Sequence, residues 1–376
     1  MRRVTRKFVM GWVAVTALSA SGTLGSAVHA QVTHGELDQR VPMTIGGRLW
    51  VDLYEPYVRA DATQPLRANM RLEGLALTLD KDGEWGGLHT DLRARESAPR
   101  RFYPSNVWFE EAYLYGRLGQ TKIKVGSVFH QLGLPDNSLY GTIADHDGLT
   151  NDSDYGISAE GTVVYGTHLT FSRAVQYFIS ENRVNHAFSD TLGIGRRDSE
   201  ADRSAHEQRG WLLRLSPEWT RGQMSVAPGF TASTQRVEID QYPLTRIGHE
   251  TTVWGGDLRL RFGQGMKTLR ADGEVLGRNA AGWTQRNFST GYDVPNARYL
   301  QAGVALGSEA AGLRYTYAHK SYRGSDLREA QHQLGLKAPL GSTASFNAEY
   351  VIYRWTQSAI TSTLERSLIV RVAAGF

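Results

Sequence analysis

Cysteine is absent from the 376 residues, which excludes disulfide scaffolds, thiolate zinc sites and cysteine nucleophiles. Long apolar runs are missing too. Beyond the first thirty residues nothing approaches the ~20 consecutive apolar residues that a membrane-spanning helix needs, and mean hydropathy is −0.38. A real charge imbalance is also lacking. The formal net charge of +4 comes from 42 Lys and Arg against 38 Asp and Glu, but Arg2, Arg3, Arg6 and Lys7 stand in a leading segment without an acid. Without those four bases the remainder balances, 38 against 38, so the sequence offers no basis for a nucleic-acid partner. What it has in quantity is turn formers and amphipathic aromatics: 40 Gly, 17 Tyr and 9 Trp.

Residues 1–30 read as a secretory signal peptide. The four bases precede an apolar stretch from Phe8 to Ala20, and the small residues after it end in Ala27-Val28-His29-Ala30. Val28 and Ala30 fit the −3 and −1 positions of a signal-peptidase site, with Gln31 as the mature start.

From residue 44 the apolar period is two. Ile45, Leu49, Val51 and Leu53 alternate with Arg48 and Asp52, and Trp254, Leu258, Leu260 and Phe262 alternate with Asp257, Arg259 and Arg261. Such alternation marks strands with one apolar and one polar face. The segments exceed the usual soluble length of about 5–6 residues and match a tilted transmembrane strand of about 9–11. Sixteen can be counted over residues 44–376. Short connections such as Lys81-Asp82-Gly83, Gly119-Gln120 and Pro339-Leu340-Gly341 alternate with longer polar stretches near 97–106, 130–154, 181–207, 234–248 and 279–296. The expectation is an all-β fold: a 16-stranded antiparallel transmembrane β-barrel over residues 31–376, with short periplasmic turns. A bilayer offers no partners to an open sheet edge, so the sheet must close.

Trp219, Phe262 and Tyr165 near short turns, and Tyr54, Tyr177, Trp211 and Tyr353 near long loops, suggest the two aromatic girdles of such a barrel. Leu364, Arg366, Leu368, Val370, Val372, Ala374 and Phe376 form one face of the last strand. The expected placement of Arg366 is above the hydrocarbon zone. Arg173 breaks the alternation of its strand.

This layout resembles the trimeric porins of Gram-negative bacteria. One stretch resembles the phosphate-selective porin O and P family more closely: Phe109-Glu110-Glu111-Ala112-Tyr113, then Lys122-Ile123-Lys124-Val125-Gly126, then Leu132-Gly133-Leu134. It covers about 30 residues. The resemblance implies an outer-membrane location among lipid and lipopolysaccharide. It also implies homotrimeric assembly, recognition of the strand ending in Phe376 by the barrel-insertion machinery, and a third long loop folded into the pore.

That loop is 130–154. It carries Asp136, Asp145, Asp147, Asp152 and Asp154 with His130 and His146, and no Lys or Arg. A basic wall is expected opposite, from Arg48, Arg71, Arg93, Arg95, Lys122 and Lys124 on the polar faces of the early strands; Arg259, Arg261, Arg270 and Arg314 are further polar-face bases. An acidic loop facing a basic wall sets a transverse field, and rings of charge set ion preference. The expected function is passive diffusion of small hydrophilic solutes with weak anion preference. A channel selective for phosphate or another anion is the alternative, and an outer-membrane hydrolase or adhesin the reading from another class. No Gly-x-Ser-x-Gly elbow is present, His206-Glu207 lacks the second His of a zincin, and Gly265-Met266-Lys267-Thr268 lacks the P-loop order. Asp145-His146-Asp147-Gly148 and Asp152-Ser153-Asp154 only half match a calcium loop and read as solvated acids. No enzyme, metal or cofactor is expected.

Overall fold

The computed structural model describes residues 43–58, 69–94, 107–134, 153–181, 204–241, 245–281, 296–322, 326, 328–357 and 361–375. Residues 1–30 and Phe376 lie outside them. Alternation produces strands throughout: β1 (Met43–Val58), β2 (Asn69–Asp82), β3 (Gly86–Ala94), β4 (Val107–Leu118), β5 (Thr121–Phe129), β6 (Ser153–Tyr165), β7 (Leu169–Glu181) and β8 (Ser204–Arg221). They continue as β9 (Met224–Gln241), β10 (Thr245–Phe262), β11 (Leu269–Ala281), β12 (Ala297–Gly307), β13 (Gly312–Tyr322), β14 (Arg328–Pro339), β15 (Ala344–Gln357) and β16 (Thr361–Gly375). Among the described residues no helix is long and apolar enough to cross a membrane.

Each strand pairs antiparallel with its sequence neighbours, and β1 pairs with β16, so the sixteen strands form a closed barrel. The seam runs from Arg48 opposite Gly375 to Val58 opposite Arg366. Closure leaves no unpaired edge, the condition for placing a sheet in a solvent without donors or acceptors. The turn Gly119-Gln120 shows why glycine stands there: φ at Gly119 is +58°, a conformation that side-chain-bearing residues resist.

The alternation decides the two faces. On β12 burial alternates strictly, with Leu300, Val304 and Leu306 42–56% exposed outward and Tyr299 and Gln301 buried inward. Trp254, Leu258 and Phe262 of β10 likewise face out, while Thr251, Val253 and Asp257 face in. The outward surface is the apolar band of a membrane-spanning barrel. Tyr165, Trp219 and Phe262 stand on it at the short-turn end, and Tyr177 and Trp211 pack ring to ring at 4.5 Å near the other end. Tyr54 and Tyr353 do not join that girdle. Both point into the barrel, where the Tyr54 hydroxyl meets Ser367 Oγ at 2.9 Å and Tyr353 donates to Glu329 at 2.8 Å. Their hydroxyls find inward partners that outward lipid could not supply. Arg366 is exposed on the outer face, nine residues above the periplasmic end of its strand at Gly375. Arg173 is also exposed on the outer face, opposite Gly161 and Leu215, with no register slip beside it.

One expected loop is a strand extension instead. Residues 234–248 mostly continue β9 and β10, paired in register out to Gln241 opposite Thr245. Similarly β8 begins at Ser204, shortening the stretch expected at 181–207. A ladder standing clear of the bilayer keeps its hydrogen bonds but has no lipid-facing side, so it needs no apolar alternation to announce it.

Candidate functional site: the barrel interior

The strongest local feature lies directly after β5. The chain leaves the wall there and crosses the interior, anchored on successive odd strands. Gln131 N–H donates to Gln176 Oε1 of β7 (2.9 Å), Gly133 N–H to Thr231 Oγ1 of β9 (3.2 Å), and Leu134 N–H to Glu274 Oε1 of β11 (2.8 Å). Gln176 completes its amide by donating to the Phe129 carbonyl at 2.7 Å and to Ser158 at 3.2 Å. Between these bonds Leu132, 1% exposed, sits in an apolar cluster with Val128, Phe178, Leu212, Val253 and Leu276. Burying such a side chain stabilises the docked segment by roughly 1.5–3 kcal/mol. Gly133 allows the crossing: its φ is +60°, and a Cβ there would lie 1.7 Å from Glu274 Oε1.

The neck of this loop is closed by residues from its two ends. His130 Nε2 lies 3.1 Å from Asp154 Oδ2, both groups are buried, and the His130 ring packs 3.7 Å from that of Phe178. Asp154 belongs to β6, which begins at Ser153, and is 4% exposed. It clasps the neck rather than lining an open pore. Asp136, Asp145, Asp147 and Asp152 lie outside the described residues.

The early strands carry the expected bases, but acids accompany them. Arg93 donates to Glu110 (2.9 Å) and to Asp91 (3.0 Å). Lys124 pairs with Glu160 at 2.8 Å. Lys122 lies 3.7 Å over the ring of Tyr115 and 5.4 Å over that of Tyr113. Arg48 is inward and exposed, without a charged partner among the described residues. The side chain of Arg71 and all of Arg95 lie outside the described residues. Beside Arg48, Arg371 clamps Asp52 through two bonds of 2.6 and 2.7 Å across the β1–β16 seam. Near the periplasmic end, Arg117 holds Asp82 at 2.7 and 2.9 Å, and Tyr115 donates to the same carboxylate. Of the expected wall bases, Arg93 and Lys124 are compensated by acids, while Lys122 lies over tyrosine rings and Arg48 has no charged partner among the described residues.

Sequence reasoning overlooked several of those acids. Glu110 and Glu111 both engage inward groups because the β3–β4 register shifts between Asp91 and Leu92. Glu110 takes Arg93, and Glu111 accepts from the Phe129 N–H at 3.3 Å. Two consecutive acids in an alternating strand were the available signal, since only a bulge turns both to one side. Asp80, which binds His89 at 2.6 Å, and Glu160 were legible as polar-face positions.

The wall from β9 to β13 is organised differently. Near the periplasmic turns one hydrogen-bonded row reads Arg314, Ala305, Arg270, Arg261, Ser225. The row above reads Thr316, Gly303, Asp272, Arg259, Ala227, and the next Ala318, Gln301, Glu274, Asp257, Gly229. Bases lie lowest and acids above them. The upper carboxylates are engaged. Asp257 binds the buried Arg214, which also donates to Thr231 at 2.8 Å, and Glu274 binds the crossing loop. Asp272 takes Arg314 at 3.2 Å.

Arg261 and Arg270 are left poorly compensated, and Arg259 stands directly opposite Asp272, a carboxylate already taken by Arg314. Arg259 donates to Ser216 (2.8 Å) and Arg270 to the Ser308 carbonyl (3.1 Å). The one carboxylate near Arg270 among the described residues is that of Glu309, 3.8 Å away and 92% exposed, a pairing of little strength in water. The Arg270 Nε is buried without an acceptor, and Arg261 stands directly opposite Arg270, a like-charge cross-strand pair.

No protein-family model and no curated protein sequence matches the chain, so the phosphate-selective resemblance gains no support there. Solved structures share the fold at low identity. OmpT of Vibrio cholerae in its trimer form superposes with a TM-score of 0.56 at 11% identity, covering 89% of this chain and 99% of that one. The outer-membrane channel DcaP of Acinetobacter baumannii gives 0.57 at 10% identity, covering 92% and 100%. An anion-selective porin from Comamonas acidovorans gives 0.55 at 12% identity, covering 89% and 100%. The chain therefore has the closed 16-stranded barrel architecture of Gram-negative outer-membrane porins.

Proposed function

We propose that this barrel is an outer-membrane porin passing small hydrophilic solutes and ions down their gradients, with a weak anion preference. The carrying observation is the inward crossing of residues 131–134, hydrogen-bonded to β7, β9 and β11. It narrows a tube whose remaining walls are lined with charge. The anion preference is placed on Arg259, Arg261 and Arg270, with Arg48 on the facing side of the seam, rather than on Arg93 and Lys124, whose charge is cancelled locally. Asp136, Asp145, Asp147 and Asp152 remain the proposed acidic edge of the constriction. Selectivity for phosphate or another multivalent anion is the second reading, favoured by the opposed Arg261 and Arg270. Residues 1–30 are proposed to be removed on export. Homotrimeric assembly is proposed on the likeness to the trimeric OmpT structure.

Single-channel recording of the refolded protein in planar bilayers tests this reading, with reversal potentials in a salt gradient and a phosphate titration. Ohmic steps in triplets with a mildly anionic reversal potential are expected. Saturable block by phosphate would select the second reading. A folded barrel that conducts nothing would overturn both.

A further inference from the structure

The wall at the barrel seam carries an aromatic ring that neither the core packing nor the charge map uses. Trp50 points inward on β1, between Arg48 and Asp52. Its cross-strand neighbour on β2 is Gly74, and the β1–β2 register shifts directly after it, between Trp50 and Val51. A Cβ at Gly74 would fall 2.6 Å from the indole Cε2, 2.9 Å from Cη2, and nearer still to Cζ2 between them. A point beside the ring edge would leave the two bonded neighbours of Cζ2 much farther off, so Gly74 stands beneath the ring face. The absent side chain and the bulge together let the indole lie flat on the wall, since a bulge re-aims the side chain next to it. Arg371, held by Asp52, stands 5.8 Å from the ring centroid and fixes it from the β16 side.

The other face of this ring is turned to the lumen. Trp50 is half-buried and is not part of the inward apolar cluster. Its indole N–H has no acceptor among the described residues and is not sealed in the wall. Arg48 stands two residues below it on the same face, roughly 6–7 Å away along the strand, exposed and without a charged partner among the described residues. In the closed ring of strands β1 is eight strands from β9. It therefore lies opposite the wall on which residues 131–134 are anchored, on the side that this crossing leaves open.

We propose that Trp50 and Arg48 form a subsite for an anionic sugar in its pyranose form, such as a hexuronate. The apolar C–H face of the pyranose covers the indole, which removes both surfaces from water. The carboxylate takes the Arg48 guanidinium in a charge-assisted pair, and a ring hydroxyl accepts from the indole N–H. A plain aromatic acid fits less well, because its carboxylate is its only acceptor and is spent on Arg48. The assignment rests on the reading of the barrel as a channel for small hydrophilic solutes and names one class among them.

The test is saturation-transfer NMR on the full folded barrel in detergent, titrated with sodium D-glucuronate, D-glucose and benzoate. Glucuronate should bind saturably. Glucose keeps the ring but lacks the charge and should bind roughly tenfold more weakly. Trp50→Leu should weaken glucuronate roughly fivefold, and Arg48→Gln should bring it to the level of glucose. Gly74→Ala alters no charge, yet its Cβ pushes the ring off the wall, so it should weaken glucuronate as well. Folding is checked by heat-modifiable gel mobility, and if Gly74→Ala does not fold, Trp50→Leu carries the same prediction. Equal affinity of wild type and Trp50→Leu, or of glucuronate and glucose, overturns the subsite, and benzoate bound as tightly as glucuronate overturns the assignment to a pyranose. Planar-bilayer recordings separate this proposal from the channel reading. A barrel that conducts but does not bind glucuronate loses the subsite and keeps the channel, whereas a folded barrel that binds glucuronate and conducts nothing keeps the subsite and loses the channel.

Discussion

Adding one methyl group at Gly133 should undock the crossing segment while leaving the barrel intact. In Gly133→Ala the new Cβ would lie 1.7 Å from Glu274 Oε1 at a residue with φ of +60°. Holding alanine in the left-handed region costs about 1–2 kcal/mol. The contact itself cannot be accommodated, so Glu274 must withdraw and the Leu134 N–H loses a carboxylate acceptor, about 1.5–3 kcal/mol more. The sum, about 2.5–5 kcal/mol, lowers the ratio of docked to undocked segment by roughly 10²–10⁴-fold. Hydrogen exchange resolved by mass spectrometry reads this directly. Protection at the amides of Gln131, Gly133 and Leu134 should fall by that factor, while strand amides of β9 and β11 keep theirs. Single-channel records should show higher and noisier conductance. The double variant Gly133→Ala/Glu274→Ala removes the clash but not the lost bond, so it should recover only part of the protection. Wild-type exchange and conductance in Gly133→Ala would refute the anchoring argument.

The charge map sets four further outcomes. Neutralising Arg259, Arg261 and Arg270 together to Gln should move the reversal potential toward cations, and it should raise stability slightly by removing the repulsion between opposed arginines; denaturant midpoints and salt-gradient recordings check both. Arg48→Glu should shift selectivity the same way with a stability change of no more than ~0.5 kcal/mol. Arg93→Glu, by contrast, faces Asp91 and Glu110 with a third carboxylate and should lower the unfolding midpoint markedly as well. Asp52→Asn breaks a bidentate clamp whose carboxylate is 4% exposed at the closing seam, and urea unfolding should show a loss of about 2–3 kcal/mol.

Much of the molecule is dictated by period-two alternation alone. Water on one side and lipid on the other impose opposite chemistries on successive side chains, so Leu300 and Gln301, or Leu258 and Asp257, declare their faces without any knowledge of neighbours. Strand number, the two faces and the short turns were all legible on that basis, whereas the inward-folding stretch after Phe129 was expected from the resemblance to porins. The height of Arg366, nine residues above the short-turn end of its strand, agrees with the expectation that it stands above the hydrocarbon zone, whereas Arg173 stands on the outer face four residues from the short-turn end of β7. Where both faces meet water, as in residues 234–248, alternation falls silent and a ladder looks like a loop.

The linear order could not contain which charges meet. Arg93 reads as a free wall cation until the β3–β4 shift turns Glu110 toward it, and Tyr54 reads as a girdle residue until Ser367 stands beside it across the seam. Arg261 and Arg270 are nine positions apart in sequence, yet the β10–β11 register sets them directly opposite. A strand's own sequence determines its faces, because the solvent acts on each residue separately. Register between strands determines compensation, because Coulomb energy depends on distances that only the closed barrel defines.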